Sequence, residues 1–317
     1  MSVAFIFPGQ GSQFPGMLHQ LLDHPAVVRT LDEISEDLQS DVRTIDTERG
    51  LEFTVDVQIA LLAAGVATAR ALMEQDIEPA AVSGLSVGAF AAAVTAGVLS
   101  LRDAVELVRL RAELMMKLYP SGYGLSAIVG LNETQVTKIV QAVTSVQDPV
   151  FVGNINAPRQ IVIAGSNVAM DQVLEEARRQ GANKAVRLHV SVPSHCPLLQ
   201  PVADLLGKRM SSVKLTTPRM TYIGNVNARA MRTKEMVARD LVTNLAHGVR
   251  WHDATTVLKE LGCNLFLEMP PGHTLSDLAE ENLSGIRSVP VEASVLSRVL
   301  RLAQQDEAST LEAARNC

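Results

Sequence analysis

The pentapeptide Gly84-Leu85-Ser86-Val87-Gly88 restricts what this chain can fold into more than any other part of it. Residues 80–83 form an apolar run that reads as a strand, and the alanine-rich residues 89–96 read as a helix. Five residues must therefore carry the chain from the end of a strand into a helix. Glycine at both ends permits this, because no Cβ obstructs the sharp turn or the approach of helix to strand. A turn of this kind belongs to a parallel sheet covered by helices. It also raises a serine to a helix N-terminus, where backbone N–H groups can meet a developing oxyanion. Ser86 is thus the candidate nucleophile, set against the plainer reading of a structural turn.

The rest of the chain agrees with an α/β class. Residues 3–7 read as a first strand, 8–16 as a glycine-rich loop, and 55–74 and 101–118 as helices. Between them and the C-terminal part the rhythm changes. Residues 125–129, 133–143, 150–154, 160–164, 170–179 and 185–190 follow the order strand, helix, strand, strand, helix, strand, which is the ferredoxin-like arrangement. A chain of 317 residues can hold a large domain carrying a smaller inserted one. The expected division is a large domain from residues 1–122 and 193–317 and a small subdomain from residues 123–192. Helices are expected again at 194–210 and 233–245 and a returning strand at 264–269, while the polar tail from Ala303 is expected to fray.

Composition removes several classes of function. A net charge of -6 without a run of Lys or Arg argues against nucleic-acid binding, which needs clustered positive charge. The three cysteines, Cys196, Cys263 and Cys317, have neither even number nor metal spacing, so neither a disulfide framework nor a metal site is expected. A reducing cytoplasm fits them. The N-terminus lacks the basic start and long apolar stretch of a signal peptide, and the apolar residues 55–73 are interrupted by Asp56, Gln58 and Arg70, which suits a buried helix better than a membrane span.

A nucleophilic serine needs a base. Of seven histidines, His195 stands out because Ser191-Val192-Pro193-Ser194-His195-Cys196 lies where the small subdomain returns to the large one, and such junctions line clefts. Cys196 reads as a small packing residue. No Asp or Glu presents itself to orient the imidazole, so a backbone carbonyl is the alternative. Arg111 is misplaced in another sense. On the helix at 101–118 it falls on the apolar stripe of Leu107, Leu114 and Leu118, whereas Arg109 points away and Glu106 and Glu113 lie off the stripe. A buried guanidinium without a partner costs several kcal/mol. Arg111 should therefore meet an acid from another element, snorkel to water, or clamp the carboxylate of an anionic acyl group.

Taken in order, Phe7-Pro8-Gly9-Gln10-Gly11-Ser12-Gln13, the Ser86 turn, Arg111 and Ser191-Val192-Pro193-Ser194-His195 resemble the malonyl-CoA:acyl carrier protein transacylase family over almost the whole chain. The resemblance implies an α/β-hydrolase-like large domain with a ferredoxin-like insert. It implies that Ser86 takes a malonyl group from coenzyme A, that His195 is its base, and that Arg111 binds the free malonyl carboxylate. Gln10 and Val87 would supply the oxyanion N–H groups, and the main-chain carbonyl of Asn244 would orient the histidine. No permanently bound cofactor or metal is implied.

Two positions depart from the family pattern: Leu85 stands where His is usual and Ala89 where Glu is usual. With Leu107-Val108-Arg109-Leu110-Arg111, Tyr119-Pro120-Ser121-Gly122-Tyr123-Gly124, Asn156-Ala157-Pro158-Arg159-Gln160 and Glu268-Met269-Pro270-Pro271-Gly272, they look like the epsilon subunit of biotin-independent malonate decarboxylase. That resemblance implies a role in malonate catabolism and contact with other decarboxylase subunits. The acceptor would be the decarboxylase's small acyl carrier protein, which bears a dephospho-CoA-derived prosthetic group. The alternatives are a malonyl transferase of fatty-acid synthesis, a serine (thio)esterase and a non-catalytic assembly subunit.

Overall fold

A computed structural model describes residues 2–291 together with Ser297 and Arg301. In chain order, β1 (Ser2–Phe7), α1 (Pro25–Leu38), α2 (Thr54–Met73), β2 (Ala81–Gly84), α3 (Gly88–Thr95) and α4 (Leu101–Leu118) come first. Then follow β3 (Tyr123–Val129), α5 (Glu133–Val143), β4 (Val150–Ala157), β5 (Gln160–Ser166), α6 (Asn167–Arg179) and β6 (Lys184–Arg187). The chain continues through α7 (Gln200–Met210), β7 (Thr221–Ile223), β8 (Ala230–Met231), α8 (Lys234–Thr243), α9 (Trp251–Glu260), β9 (Cys263–Glu268), α10 (Thr274–Asn282) and β10 (Arg287–Pro290). The polar tail from Ala303, Cys317 and the end of the expected 193–317 segment lie outside the described residues.

The larger sheet has the order β10-β9-β1-β2-β7-β8, parallel except for β8. Its central strands are apolar without alternation because both faces are covered. Phe5 and Phe7 of β1 enter the core formed with α1 to α4, while Ala4 and Ile6 enter the opposite core beneath α9 and α10. Helix α2 is long and apolar enough to cross a membrane, yet 83% of its most apolar window is buried inside the protein. The smaller sheet is antiparallel in the order β4-β5-β3-β6. Helices α5 and α6 close over its Ile128, Ile161 and Ile163 to form a core of their own.

Local signals explain many of the boundaries. Asn132 and Gln135 form a reciprocal capping box on α5, and Ser100, Ser166 and Thr233 cap α4, α6 and α8. Three expectations need correction. The helix expected over 194–210 begins at Gln200, after a single 3-10 turn at Pro197–Leu199, because His195 has φ 65° and Cys196 is extended, and neither conformation enters a right-handed helix. The strand expected over 185–190 ends at Arg187. The buried face of α4 runs through Ala104, Leu107, Val108, Arg111 and Met115, leaving Leu114 half-buried and Leu118 exposed.

Candidate active site

The turn at Ser86 is built by close backbone approach. A Cβ on Gly84 would stand 2.2 Å from the carbonyl of Gly88, and one on Gly88 would stand 2.4 Å from the carbonyl oxygen of Phe7. Glycine is therefore required by contact at both positions, as the sequence suggested. Ser86 itself has φ 56°. A non-glycine residue held there costs on the order of 1–2 kcal/mol, and the surrounding bonds must hold it in place. Helix α3 starts immediately afterwards with no side-chain cap; the amides of Gly88, Ala89 and Phe90 donate back to the carbonyls of Leu85, Ser86 and Val87, which among the described residues leaves the Val87 N–H as the one open to a ligand at the turn.

Around the Ser86 hydroxyl three elements converge. His195 Nε2 lies 2.8 Å from Ser86 Oγ, and His195 Nδ1 lies 2.6 Å from the carbonyl oxygen of Asn244. A carbonyl can only accept, so Nδ1 carries the proton and Nε2 is left as acceptor for the serine hydroxyl. The imidazole is 2% exposed. Burial, then the nearby Arg111 charge, lower its pKa to about 4, while the Asn244 carbonyl pulls the other way. It is therefore neutral and ready to take a proton at pH 7. Among the described residues, the group that meets the inner nitrogen of the imidazole is a backbone carbonyl and not an acid.

Arg111 is 1% exposed, and among the described residues no carboxylate meets it. The inter-helix ion pair and the snorkelling readings both fail here, because the side chain stays inside among neutral groups. Nη1 donates to Gln58 Oε1 at 2.5 Å and Nη2 to Ser86 Oγ at 3.1 Å, while Nε has no protein partner. Burial lowers the guanidinium pKa to about 9. A desolvated cation with donors to spare, touching a nucleophilic oxygen, is suited to a small anion. Arg109 instead faces solvent and pairs with Glu113.

Gln10 lies in the loop after β1, which is clamped to the turn: Leu85 donates its N–H to the Phe7 carbonyl, and a Cβ on Gly9 would stand 2.8 Å from the Leu85 oxygen. Among the described residues neither the Gln10 nor the Val87 amide donates to a protein acceptor. Gln10 also lines a cleft of 610 Å³ that takes Thr54 from α2, Tyr123 from β3, Arg187 from the end of β6 and His189 from the chain after it. The cleft thus runs between the loop after β1 and the smaller sheet; its lining reaches Ser191 of the junction but does not include Ser86, Arg111 or His195. Leu85 and Ala89 do not line it. Leu85 packs on the Trp251 core and Ala89 is buried in the α1 to α4 core.

Sequence reasoning missed three polar residues around this site. Gln58 had been noticed only as a polar interruption of an apolar helix, and that interruption was the available signal. Asn225 accepts the Ser86 N–H, and Asp240 accepts the Asn225 N–H. Neither stands in a motif. Cys196 is buried with its thiol donating to the Pro193 carbonyl, and burial pushes the thiol pKa up to about 12, so it is packing as expected. Among the described residues no group of three or more His, Cys, Asp or Glu stands together as a metal site.

A reachable serine, a neutral imidazole beside it and a cation for the far end of a substrate define enzymes that carry acyl groups on an oxygen ester. The comparisons with known proteins agree. Residues 4–315 match the family described as Acyl transferase domain. The malonyl CoA-acyl carrier protein transacylase of Haemophilus influenzae is 35% identical over 297 residues, covering 91% of this chain and 94% of the relative. That of Escherichia coli is 34% identical over 309 residues, covering 94% and 99%. Among solved structures, the malonyl CoA-acyl carrier protein transacylase of Coxiella burnetii superposes with a TM-score of 0.90 at 33% identity, covering 95% of this chain and 97% of that one. A malonyl-transacylase solved in complex with a type II PKS acyl-carrier protein gives 0.87 at 33% identity, covering 92% and 96%. The chain belongs to the acyl transferase domain family, as a homologue of the malonyl CoA-acyl carrier protein transacylases, and is an acyltransferase.

Proposed function

We propose that this enzyme moves a malonyl group from malonyl-CoA, through an ester on Ser86, to the thiol borne by an acyl carrier protein. One observation carries the reading: a single oxygen, Ser86 Oγ, lies 2.8 Å from the base and 3.1 Å from the buried cation. His195 Nε2 takes the hydroxyl proton as Oγ attacks the thioester carbonyl carbon. The electron pair moves onto the carbonyl oxygen, towards the Gln10 and Val87 N–H groups. Collapse breaks the carbon–sulfur bond, and His195 returns the proton to the coenzyme A sulfur. The carrier thiol then takes the malonyl group by the reverse steps. Arg111 holds the free malonyl carboxylate, and the Asn244 carbonyl keeps the imidazole in its tautomer. No bound cofactor enters this chemistry.

Mass spectrometry after mixing with malonyl-CoA tests the proposal: a malonyl adduct is expected on Ser86 and its persistence in Ser86→Ala would refute the assignment. A scaffold that had lost its chemistry forms no adduct. A (thio)esterase releases free malonate steadily without a carrier.

The strand order β4-β5-β3-β6 supports reading residues 123–192 as a ferredoxin-like subdomain, and the nucleophile turn after β2 of a parallel sheet supports an α/β-hydrolase-like remainder. Free, buried Cys196 and Cys263 support a cytoplasmic setting.

For the acceptor, the transacylase relatives favour the ordinary carrier of fatty-acid synthesis. A second reading, the malonate decarboxylase carrier and its subunits as partners, stands on Leu85 and Ala89 together with the stretches at residues 107–111, 119–124, 156–160 and 268–272. Leu85 and Ala89 are both spent on packing, so they weigh less than the sequence alone suggested. Offering both carriers in one malonyl-CoA reaction separates the two. Faster transfer to the fatty-acid carrier is expected, and preference for the carrier with the dephospho-CoA-derived group would reverse the assignment.

A further inference from the structure

We propose that Asn225 and Asp240 are positioning residues for the nucleophile, and that the last turn of α8 sets both partners of the reacting pair. The inference rests on Ser86 being the nucleophile.

Strand β7 runs parallel to β2 with Ser83 opposite Ile223, and this pairing stops where β2 turns into the Ser86 loop. The Gly84 carbonyl and the Ser86 N–H are then left inside the protein without a strand partner. Asn225, two residues beyond β7 and buried, supplies both: its Nδ2 donates to the Gly84 oxygen at 2.9 Å and its Oδ1 accepts the Ser86 N–H at 2.9 Å. One planar carboxamide thus replaces one peptide unit of a neighbouring strand. It braces the two residues that flank Leu85, and with them the left-handed backbone at Ser86. It also occupies the Ser86 amide, so that the following amide is the one open to a ligand.

Asn225 is itself held. Its N–H lies 2.9 Å and 3.0 Å from the two carboxylate oxygens of Asp240, and the Val226 N–H adds a third bond at 3.1 Å. Asp240 is buried on α8, and its main-chain oxygen accepts the Asn244 N–H at 2.9 Å. Asn244 then presents its carbonyl to His195 Nδ1, and the Leu245 carbonyl accepts the His195 N–H at 2.8 Å. The side chain at 240 fixes the serine and the carbonyls at 244 and 245 fix the histidine. A single stretch of helix end therefore gauges the distance between Ser86 and His195.

The test compares Asn225→Ala, Asp240→Ala and Asp240→Asn with wild type in single-turnover acylation by malonyl-CoA, counting active sites by the malonyl-enzyme formed. For Asn225→Ala, acylation per active site should fall on the order of a hundredfold with KM changed by less than about threefold. Inactivation by a small neutral organophosphorus fluoride, which needs Ser86 and His195 but not Arg111, should fall by the same factor. Asp240→Ala should follow it, and Asp240→Asn, which keeps an acceptor oxygen for the Asn225 N–H, should recover most of the rate. Wild-type rates per site in both alanine variants, or a loss confined to KM or to the number of titratable sites, would overturn the proposal. A malonyl adduct surviving in Ser86→Ala would instead remove the nucleophile assignment on which it rests.

Discussion

At the scale of residues, the two most perturbed groups of the site titrate on opposite sides of neutrality. His195 is usable only as the neutral base, and its pKa of about 4 places the acid limb of kcat/KM there. Arg111 binds a carboxylate only while charged, and its pKa of about 9 places the alkaline limb there. Between about pH 5 and 8 the profile should be flat, since both groups then hold the required state. A pH series with malonyl-CoA checks this, and an acid limb near the ordinary histidine value would mean that the imidazole is better solvated than its burial implies. Ser86, His195 and Arg111 were legible because each announces itself locally, by flanking glycines, a junction, or a charge on an apolar stripe. Gln58, Asn225 and Asp240 were not. The bonds that give them meaning reach 53 residues from Arg111 to Gln58 and 139 from Ser86 to Asn225, and nothing in a short window reports such a pair. The physics of burial did foresee that Arg111 needed a partner, but not that a neutral amide would serve.

At the scale of elements, the strand-turn-helix around Ser86 tolerates no added methyl group. Replacing Gly88 by alanine drives a Cβ to 2.4 Å from the Phe7 oxygen, a backbone atom that cannot rotate aside. Gly88→Ala should therefore lose about 3 kcal/mol of stability, read as a shifted midpoint in denaturant unfolding. Unchanged stability would mean that β1 and α3 can separate without loss. Elements with strong local signals were readable: the capped α5 was anticipated over the same residues, 133–143, that it occupies. Short strands such as β7 and β8 escaped notice because they are only 3 and 2 residues long. The start of α7 was misread because apolar periodicity cannot register a left-handed residue at His195.

At the scale of the whole molecule, the smaller sheet is stitched to the segment that leads into α9. The Ile155 N–H donates to the Val249 carbonyl and the Val249 N–H to the Gly153 carbonyl, both at 2.8 Å, across the bulge in β4. Ala157 of the same strand packs in the core of Trp251, the only tryptophan. Trp251 fluorescence and far-ultraviolet circular dichroism should therefore follow one coincident denaturant transition. Two separated midpoints would show that the smaller sheet unfolds alone. The order strand, helix, strand, strand, helix, strand of the smaller sheet was readable from the change of rhythm near residue 123, whereas this seam, which joins residues about a hundred positions apart, was not.

The left-handed backbone at Ser86 also bears on how such a site can drift over generations. A side chain branched at Cβ is poorly tolerated at φ 56°, so threonine is a costly neighbour in mutational space although it keeps the hydroxyl. Cysteine, unbranched and one base change from serine, leaves the backbone undisturbed. Lineages that exchange the nucleophile of this scaffold therefore have a path towards sulfur and a barrier towards a secondary alcohol.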